Sequence, residues 1–143
     1  MKILMLNGSC NQKGCTFTAL TEVGKSLAAE GVDHEIFWAG NTPVQDCIGC
    51  GKCDGEHCIF TNDTVNEFLS KAYEADGLVF GTPVYYAHPS GRILSFLDRA
   101  FSACNEGGVY KAFMYKPAAA VASARRGGTT ASLDVLNKYF GIA

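Results

Sequence analysis

The sequence has little charge, little proline and no excess of basic residues. Of its 143 residues, 18% are charged and four are proline, and its 12 Lys and Arg are outnumbered by 14 Asp and Glu. A nucleic-acid-binding domain normally carries a basic surface, so we expect no nucleic-acid partner. The first apolar run, 2–6, stops at Asn7 and Gly8. That run is too short for a signal peptide or a membrane span, so we expect a cytoplasmic protein with no membrane contact.

Short apolar runs alternate with segments of helical periodicity along the chain. The strands are predicted at 2–6, 33–38, 77–81 and 117–123. The helices are predicted at 16–30, 61–73, 89–101 (with Pro89 as the first helical residue) and 130–140. Such alternation is typical of a parallel sheet covered by helices on both faces. The sequence therefore predicts a single α/β domain over 1–143, built on a doubly wound parallel sheet.

The loop after the first strand, 7–16, has the composition of a phosphate-binding turn. It contains two glycines, and Ser9, Asn11 and Thr16 supply hydroxyl and amide groups, while Lys13 adds a positive charge. The start of the following helix offers unpaired N–H groups and a partial positive charge. A polar turn that caps the helix and holds no ligand accounts for the same residues, so this loop alone leaves both interpretations open.

Two further loops are expected at the same edge of the sheet, because the carboxyl ends of parallel strands lie together. The loop 82–90 contains Val84, Tyr85 and Tyr86, which suit the flat face of an aromatic ring. The loop 123–129 contains two arginines followed by Gly127 and Gly128. The tyrosines packing under a helix, and the arginines exposed to solvent, are the simpler alternatives. Taken together, the three loops indicate a mononucleotide with a ring at one end, a shape that FMN fits.

Four of the seven cysteines lie within 12 residues, with the spacing Cys47-x2-Cys50-x2-Cys53-x4-Cys58. A compact run of this kind is typical of iron–sulfur ligands, and Gly49 and Gly51 allow the loop to wrap around a cluster. Structural zinc usually takes two C-x2-C pairs set farther apart. A [4Fe–4S] cluster, a zinc ion and a metal-free thiol loop all remain open.

Three motifs and the cysteine spacing resemble a known family. The motifs are Gly8-Ser9…Gly14-Cys15-Thr16, Thr82-Pro83-Val84-Tyr85…Ser90 and Arg92…Phe96-Leu97-Asp98-Arg99. The whole chain resembles the flavodoxin-like NAD(P)H-dependent FMN reductases and, among them, the iron–sulfur flavoproteins. It departs from the usual family pattern at Asn11, where the family has Arg, and at Cys15, where the family has Asn.

The resemblance implies a fold, a set of ligands and partners. The implied sheet order is 2-1-3-4, with the family's fifth strand missing from this chain. The implied FMN-binding residues are Ser9, Asn11, Lys13, Gly14, Cys15, Thr16, Thr82, Pro83, Val84, Tyr85, Tyr86, Ser90, Ser123, Arg125, Gly127 and Gly128. The implied cluster ligands are Cys47, Cys50, Cys53 and Cys58. NAD(P)H or ferredoxin is the implied electron donor, and a homo-oligomer is the implied assembly.

The sequence thus predicts a flavin-dependent oxidoreductase that moves electrons between a reduced donor, FMN and a [4Fe–4S] cluster. The chemistry belongs to the cofactors, so no catalytic side chain is predicted. One alternative is an NAD(P)H-dependent FMN or quinone reductase without a metal cluster. The other is a zinc-stabilised interaction module without flavin.

Overall fold

The computed structural model describes all 143 residues and contains four helices and seven strands. The strands are β1 Lys2–Asn7, β2 Asp33–Trp38, β3 Gly77–Tyr85, β4 His88–Pro89, β5 Asn105–Glu106, β6 Val109–Tyr110 and β7 Ala118–Ser123. The helices are α1 Cys15–Ala29, α2 Val65–Glu74, α3 Gly91–Ala103 and α4 Thr129–Ile142. No helix combines the length and the apolar character needed to cross a bilayer.

The four long strands form a parallel sheet in the order β2-β1-β3-β7. Leu4 of β1 stands opposite Glu35 of β2 on one side and Leu78 of β3 on the other. Because β7 is the fourth long strand of the chain, this arrangement confirms the expected order 2-1-3-4. The fifth member of the sheet is the two-residue strand β4, which pairs antiparallel with the end of β3.

The side chains of β1 alternate between two apolar layers, one on each face of the sheet. Leu4 and Leu6 belong to a core of 22 buried residues that also includes residues of α2, α3 and α4. Ile3 and Met5 pack in a smaller core with Leu20 of α1. Burying a leucine contributes about 1.5–3 kcal/mol, so a strand that is apolar on both faces is stable only between two layers of helices.

The predicted loop 82–90 is shorter than expected, since β3 continues to Tyr85 and the chain turns back at Tyr86 and Ala87 to form β4. The prediction of Pro89 as the first helical residue is wrong. Helix α3 begins at Gly91, and its N-cap is Ser90, whose hydroxyl accepts a hydrogen bond from the Ile93 N–H. Pro89 lies instead in β4, opposite Val84 of β3, so the helix starts only after the next residue, Ser90, which has the hydroxyl that caps it.

The helix predicted from residue 61 begins at Val65. Asp63 accepts a hydrogen bond of 3.1 Å from the Val65 N–H, which satisfies a free donor at the start of α2. Arg99 of α3 pairs with Asp63 and donates to the Phe60 carbonyl, and these contacts keep the residues before Val65 out of the helix.

Candidate functional site

Three segments that are far apart in sequence surround one cavity at the carboxyl edge of the sheet. They follow β1, form the end of β3 and follow β7, as expected for a parallel sheet. The cavity has a volume of about 570 Å³. Its lining residues are Ser9, Asn11, Gly14, Cys15, Thr16, Pro83, Val84, Tyr85, Ser123, Ala124 and Arg125.

A network of polar groups fixes the shape of the β1–α1 loop. Asn7 is fully buried; its side chain donates to the Gln12 carbonyl at 3.1 Å and accepts from the Ser9 N–H at 3.1 Å. The Ser9 hydroxyl accepts from the Asn11 N–H. The indole N–H of Trp38, at the end of β2, donates to the Ser9 carbonyl at 2.8 Å. The loop is therefore organised before any ligand binds.

The start of α1 has no side-chain cap. Its N-cap is Gly14, which offers no acceptor to the amides of the first turn, whereas α3 is capped by the hydroxyl of Ser90. The uncapped end lies at the cavity wall, since Gly14, Cys15 and Thr16 all line it. Free amides and the helix dipole together favour an anion at this position, and a phosphate group supplies the missing acceptors.

Two contacts join the loop to the neighbouring strands. The Thr16 and Ser123 hydroxyls lie 2.8 Å apart, which links the start of α1 to the end of β7. The Gly8 N–H donates to the Gly81 carbonyl of β3 at 2.8 Å. A Cβ atom at Gly8 would lie 2.8 Å from Ile93 Cδ1, so only glycine permits this close approach. The cavity walls are thus held together from three strands.

Tyr85 forms part of the opposite wall together with Pro83 and Val84. Its hydroxyl lies 3.7 Å from the Cys10 Sγ. The pKa of Tyr85 is raised above its ordinary value. The hydrogen bond with Cys10 is the larger cause, and partial burial is the smaller one. The phenol therefore stays neutral in the physiological range and presents a flat, uncharged surface. Arg125 is the one positively charged side chain that lines the cavity.

Ten of the 16 predicted FMN-binding residues line the cavity, and six do not. Three of the six are exposed: Lys13, Tyr86 and Gly127. The other three lie behind the cavity wall, where Thr82 accepts from the Ser90 N–H, Ser90 caps α3 and Gly128 packs against Ala87. Their role as FMN ligands stays a prediction. Ala124 lines the cavity without having been predicted, because an alanine carries no chemical signal.

A second cavity, of about 330 Å³, is lined by all four cysteines of the 47–58 loop. Gly49 and Gly51 have φ values of +62° and +65°, a conformation that favours glycine and lets the loop curve around the cavity. Burial raises the pKa of the Cys53 thiol, and the neighbouring thiols of Cys58 and Cys50 raise it further.

The thiols share a cavity but do not converge on one point. No group of three or more Cys, His, Asp or Glu side chains in the structure is close enough to hold a single metal ion. A mononuclear zinc site needs four ligands about 2.3 Å or less from one centre, whereas in an iron–sulfur cluster each thiolate binds its own iron. The four thiols are the type of donor that an iron–sulfur cluster takes, but the structure shows no metal-binding group.

The sheet order, the two helical layers and the uncapped helix beside a cavity at the carboxyl edge define a flavodoxin-like fold. Comparison with solved structures agrees. A structure of RosB with a bound 8-demethyl-8-formylriboflavin-5'-phosphate intermediate superposes with a TM-score of 0.76 at 16% identity, covering 99% of this chain and 59% of that chain. The apo form of an NADH:FMN oxidoreductase gives a TM-score of 0.65 at 22% identity, covering 99% of this chain and 68% of that chain.

The sequence comparisons define the family. The family model described as NADPH-dependent FMN reductase matches residues 1–143. An iron–sulfur flavoprotein of Methanocaldococcus jannaschii is 30% identical over 146 residues, which cover 98% of this chain and 72% of the relative. An iron–sulfur flavoprotein of Archaeoglobus fulgidus is 31% identical over 100 residues, which cover 70% of this chain and 49% of the relative.

The chain belongs to the NADPH-dependent FMN reductase family and is, by class, a flavin-dependent oxidoreductase. An FMN reductase (NADPH) of Pseudomonas putida is a more distant relative, 28% identical over 98 residues that cover 68% of this chain and 46% of the relative. The aligned regions thus span from about half to about three quarters of the length of these relatives.

Proposed function

We propose that the chain binds FMN in the 570 Å³ cavity and a [4Fe–4S] cluster among Cys47, Cys50, Cys53 and Cys58, and that it moves electrons between a reduced donor and these two centres. The observation that carries the proposal is the convergence of the β1–α1 loop, the end of β3 and the β7–α4 loop on one cavity beside an uncapped helix. When bound, the flavin supplies hydride and single-electron chemistry, and the cluster supplies single-electron transfer.

Different residues of the cavity would bind the phosphate and the ring of the flavin. The first-turn amides of α1, with the hydroxyl of Thr16 close by, would hold the phosphate. Pro83, Val84 and Tyr85 would form an apolar wall against the ring, and Tyr85 keeps its proton because its pKa is raised. The volume is within the usual range of about 300–1,000 Å³ for small-molecule sites.

NAD(P)H is the donor that family membership supports, and ferredoxin is a second proposed donor.

The two cavities share no lining residue. The names of the relatives from Methanocaldococcus and Archaeoglobus favour the presence of both centres. A homo-oligomer, in which centres of different copies approach each other, is part of the proposal. A cytoplasmic location is also part of it.

The test is anaerobic purification of the protein after reconstitution with FMN, iron and sulfide, followed by flavin, iron and sulfide analysis and a visible spectrum. The proposal predicts flavin bands together with a broad iron–sulfur shoulder, and about four irons per chain, as expected for a [4Fe–4S] cluster. A spectrum with neither feature contradicts it.

A second candidate is an NAD(P)H-dependent FMN or quinone reductase without a cluster. The observation that favours it is that the four thiols are not arranged around a single point. Steady NAD(P)H oxidation by FMN-loaded, iron-free protein would establish it, provided that replacing Cys50 and Cys53 with serine leaves the rate unchanged. Stoichiometric zinc without bound flavin would instead establish the interaction module.

A further inference from the structure

Arg99 of α3 belongs to the third motif of the family resemblance, yet it does not line the FMN cavity. It is the largest fully buried side chain of the molecule, with 1% of its surface exposed. It lies at the wall of the cysteine cavity. A buried guanidinium is stable only when its N–H groups are paired. The hydrogen-bond partners of Arg99 therefore identify the segments of the chain that it fixes in place.

The guanidinium group makes five contacts, and one of them is to a cysteine. Its Nε donates to the Cys58 Sγ at 3.4 Å. Its Nη1 pairs with the Asp63 carboxylate and donates to the Gln45 carbonyl at 3.5 Å, and its Nη2 donates to the Phe60 carbonyl at 3.0 Å. The guanidinium carbon also lies 5.5 Å from the centre of the Phe60 ring.

These partners come from both ends of the cysteine loop. Gln45 precedes the first cysteine, whereas Phe60 and Asp63 follow the last one. Arg92, two turns earlier on α3, extends the same pattern by donating to the carbonyls of Thr42 at 2.5 Å and Asn41 at 3.3 Å. Helix α3 therefore binds the segments on both sides of the cysteine loop. Of the two arginines, only Arg99 contacts a thiol.

We propose that Arg99 is the positioning residue of the cysteine set. Its Nε–H holds the Cys58 Sγ at the wall of the cysteine cavity, and its other N–H groups fix the two ends of the loop. Lysine cannot replace it, because an ammonium group lacks the planar fork of five N–H donors. With a cluster bound, the same N–H would donate to a ligand sulfur, an interaction that helps to set a cluster's reduction potential. This last part rests on the proposed function.

The first experiment needs no cluster. In metal-free, reduced protein, the alkylation rate of each cysteine is measured by peptide mass spectrometry for the wild type, Arg99→Lys, Asp63→Asn and the double variant Arg99→Gln/Asp63→Asn. The double variant avoids leaving one buried charge without its partner. Cys104 is the internal control, because it is buried and burial raises its pKa to about 11.

Rates are compared at their alkaline plateau, where the thiolate fraction no longer differs between variants. Alkylation of Cys58 is expected to accelerate there about tenfold in the double variant and to a smaller degree in Arg99→Lys, because the buried sulfur is released from the cavity wall; a factor of ten corresponds to about 1.4 kcal/mol. Asp63→Asn, which keeps the Nε–H but leaves the buried guanidinium without its counter-charge, should accelerate the reaction less than the double variant does. Two results overturn the proposal: an unchanged Cys58 rate in both Arg99 variants, or an equal acceleration at Cys104, which would show general loosening of the fold.

The second experiment measures the midpoint potential of the reconstituted cluster by redox titration. Loss of the Nε–H is expected to shift the potential to more negative values in Arg99→Lys, which keeps the positive charge, whereas Asp63→Asn removes a buried negative charge and should shift it to more positive values. Identical potentials in the wild type and Arg99→Lys contradict the role toward the cluster. If the wild type binds no iron, the proposed function fails, while the alkylation rates still decide whether Arg99 positions Cys58.

Discussion

At the scale of single residues, one pair of hydroxyl groups links two walls of the cavity proposed for FMN. Thr16 is buried and lies 2.8 Å from the Ser123 hydroxyl, so the start of α1 and the end of β7 are joined through this contact. This is the only side-chain hydrogen bond of Ser123, whose backbone belongs to the β3–β7 ladder opposite Pro83. The contact is therefore the side-chain link between two walls of the cavity, added to the backbone pairing of the sheet.

Thr16→Val is expected to lower the affinity for FMN by about tenfold and the free energy of unfolding by about 1 kcal/mol, since a buried hydrogen bond is lost and Ser123 is left unpaired. FMN fluorescence quenching and urea unfolding measure the two effects. Thr21→Val is the matched control, because the Thr21 hydroxyl bonds only to the Phe17 carbonyl of its own helix. Equal FMN affinity in the two variants would contradict the role of Thr16.

Glu35 supplies a pH-dependent contribution to stability away from the cavity. It pairs with Lys2 and Lys71, each at 2.8 Å, and these hydrogen bonds lower its pKa from the ordinary value of 4.5. Because the folded state has the lower pKa, the contribution is fully present above the unfolded value and is lost as the pH falls through the folded value.

Glu35→Gln is therefore expected to reduce the free energy of unfolding by about 0.5–1 kcal/mol at neutral pH. The difference from the wild type should disappear in acid, well below the ordinary value of 4.5. Urea unfolding at both pH values measures this. Glu22→Gln removes an exposed pair with Lys25 and should change little. A difference that persists in acid would mean that the glutamate acts through packing and not through its charge.

At the scale of the elements, the uncapped start of α1 makes the most specific prediction. Gly14 has an extended backbone, with φ −87° and ψ −166°, that an N-cap aspartate or asparagine can adopt. Its added Cβ would lie 3.2 Å from Asn11, an exposed side chain that is able to move. Both substitutions would cap the helix, but only aspartate adds a negative charge where the phosphate is expected.

Gly14→Asp is expected to lower the affinity for FMN at least about tenfold, and clearly more than Gly14→Asn does. Riboflavin has no phosphate, so its affinity should differ little between the two variants. Equilibrium titration with both flavins measures this. Equal losses of FMN and riboflavin affinity in Gly14→Asp would place the phosphate away from α1.

The β3–β4 turn stores backbone strain beside the cavity. Tyr86 and Ala87 have φ values of +52° and +61°, in the left-handed region that costs a non-glycine residue about 1–2 kcal/mol. Turns of this type usually contain Asn-Gly or Gly-Gly. The strain is maintained by packing, because Gly128 at the start of α4 lies directly against Ala87.

Ala87→Gly is expected to raise the free energy of unfolding by up to about 1 kcal/mol, the relief of strain less the larger entropy of the unfolded glycine. Ala28→Gly, on the exposed face of α1, should have the opposite sign, with a loss of up to about 1 kcal/mol. Thermal and urea unfolding of both variants measure this. A destabilised Ala87→Gly would show that the turn is not strained.

The same turn shows where the sequence could not predict the elements. The four long strands and four helices follow from apolar periodicity and are confirmed. The strand β4 could not be foreseen, because Tyr86-Ala87 carries none of the residues that usually mark a left-handed turn. The β5–β6 hairpin was missed for another reason: Gly107-Gly108 is a recognisable turn signal, but each strand has only two residues and no alternation.

At the scale of the whole molecule, the site could be predicted as far as the topology of the sheet determines it. Parallel strands place the loops that follow them at one edge, so three separate segments could be assigned to one cavity. The roles of Asn7, Trp38 and Arg99 could not be predicted, since each depends on a tertiary hydrogen bond that leaves no local pattern. The cysteine spacing indicated a shared site, and the structure brings all four thiols to one cavity.

The measurement that tests the account most directly is an equilibrium titration of the flavin-free protein with FMN, followed by protein and flavin fluorescence. The account predicts saturable binding of equimolar FMN, an affinity higher than that for riboflavin, and a marked loss of FMN affinity in Gly14→Asp. Absence of saturable binding, or binding that Gly14→Asp and Thr16→Val leave unchanged, would contradict the claim that this cavity holds the flavin.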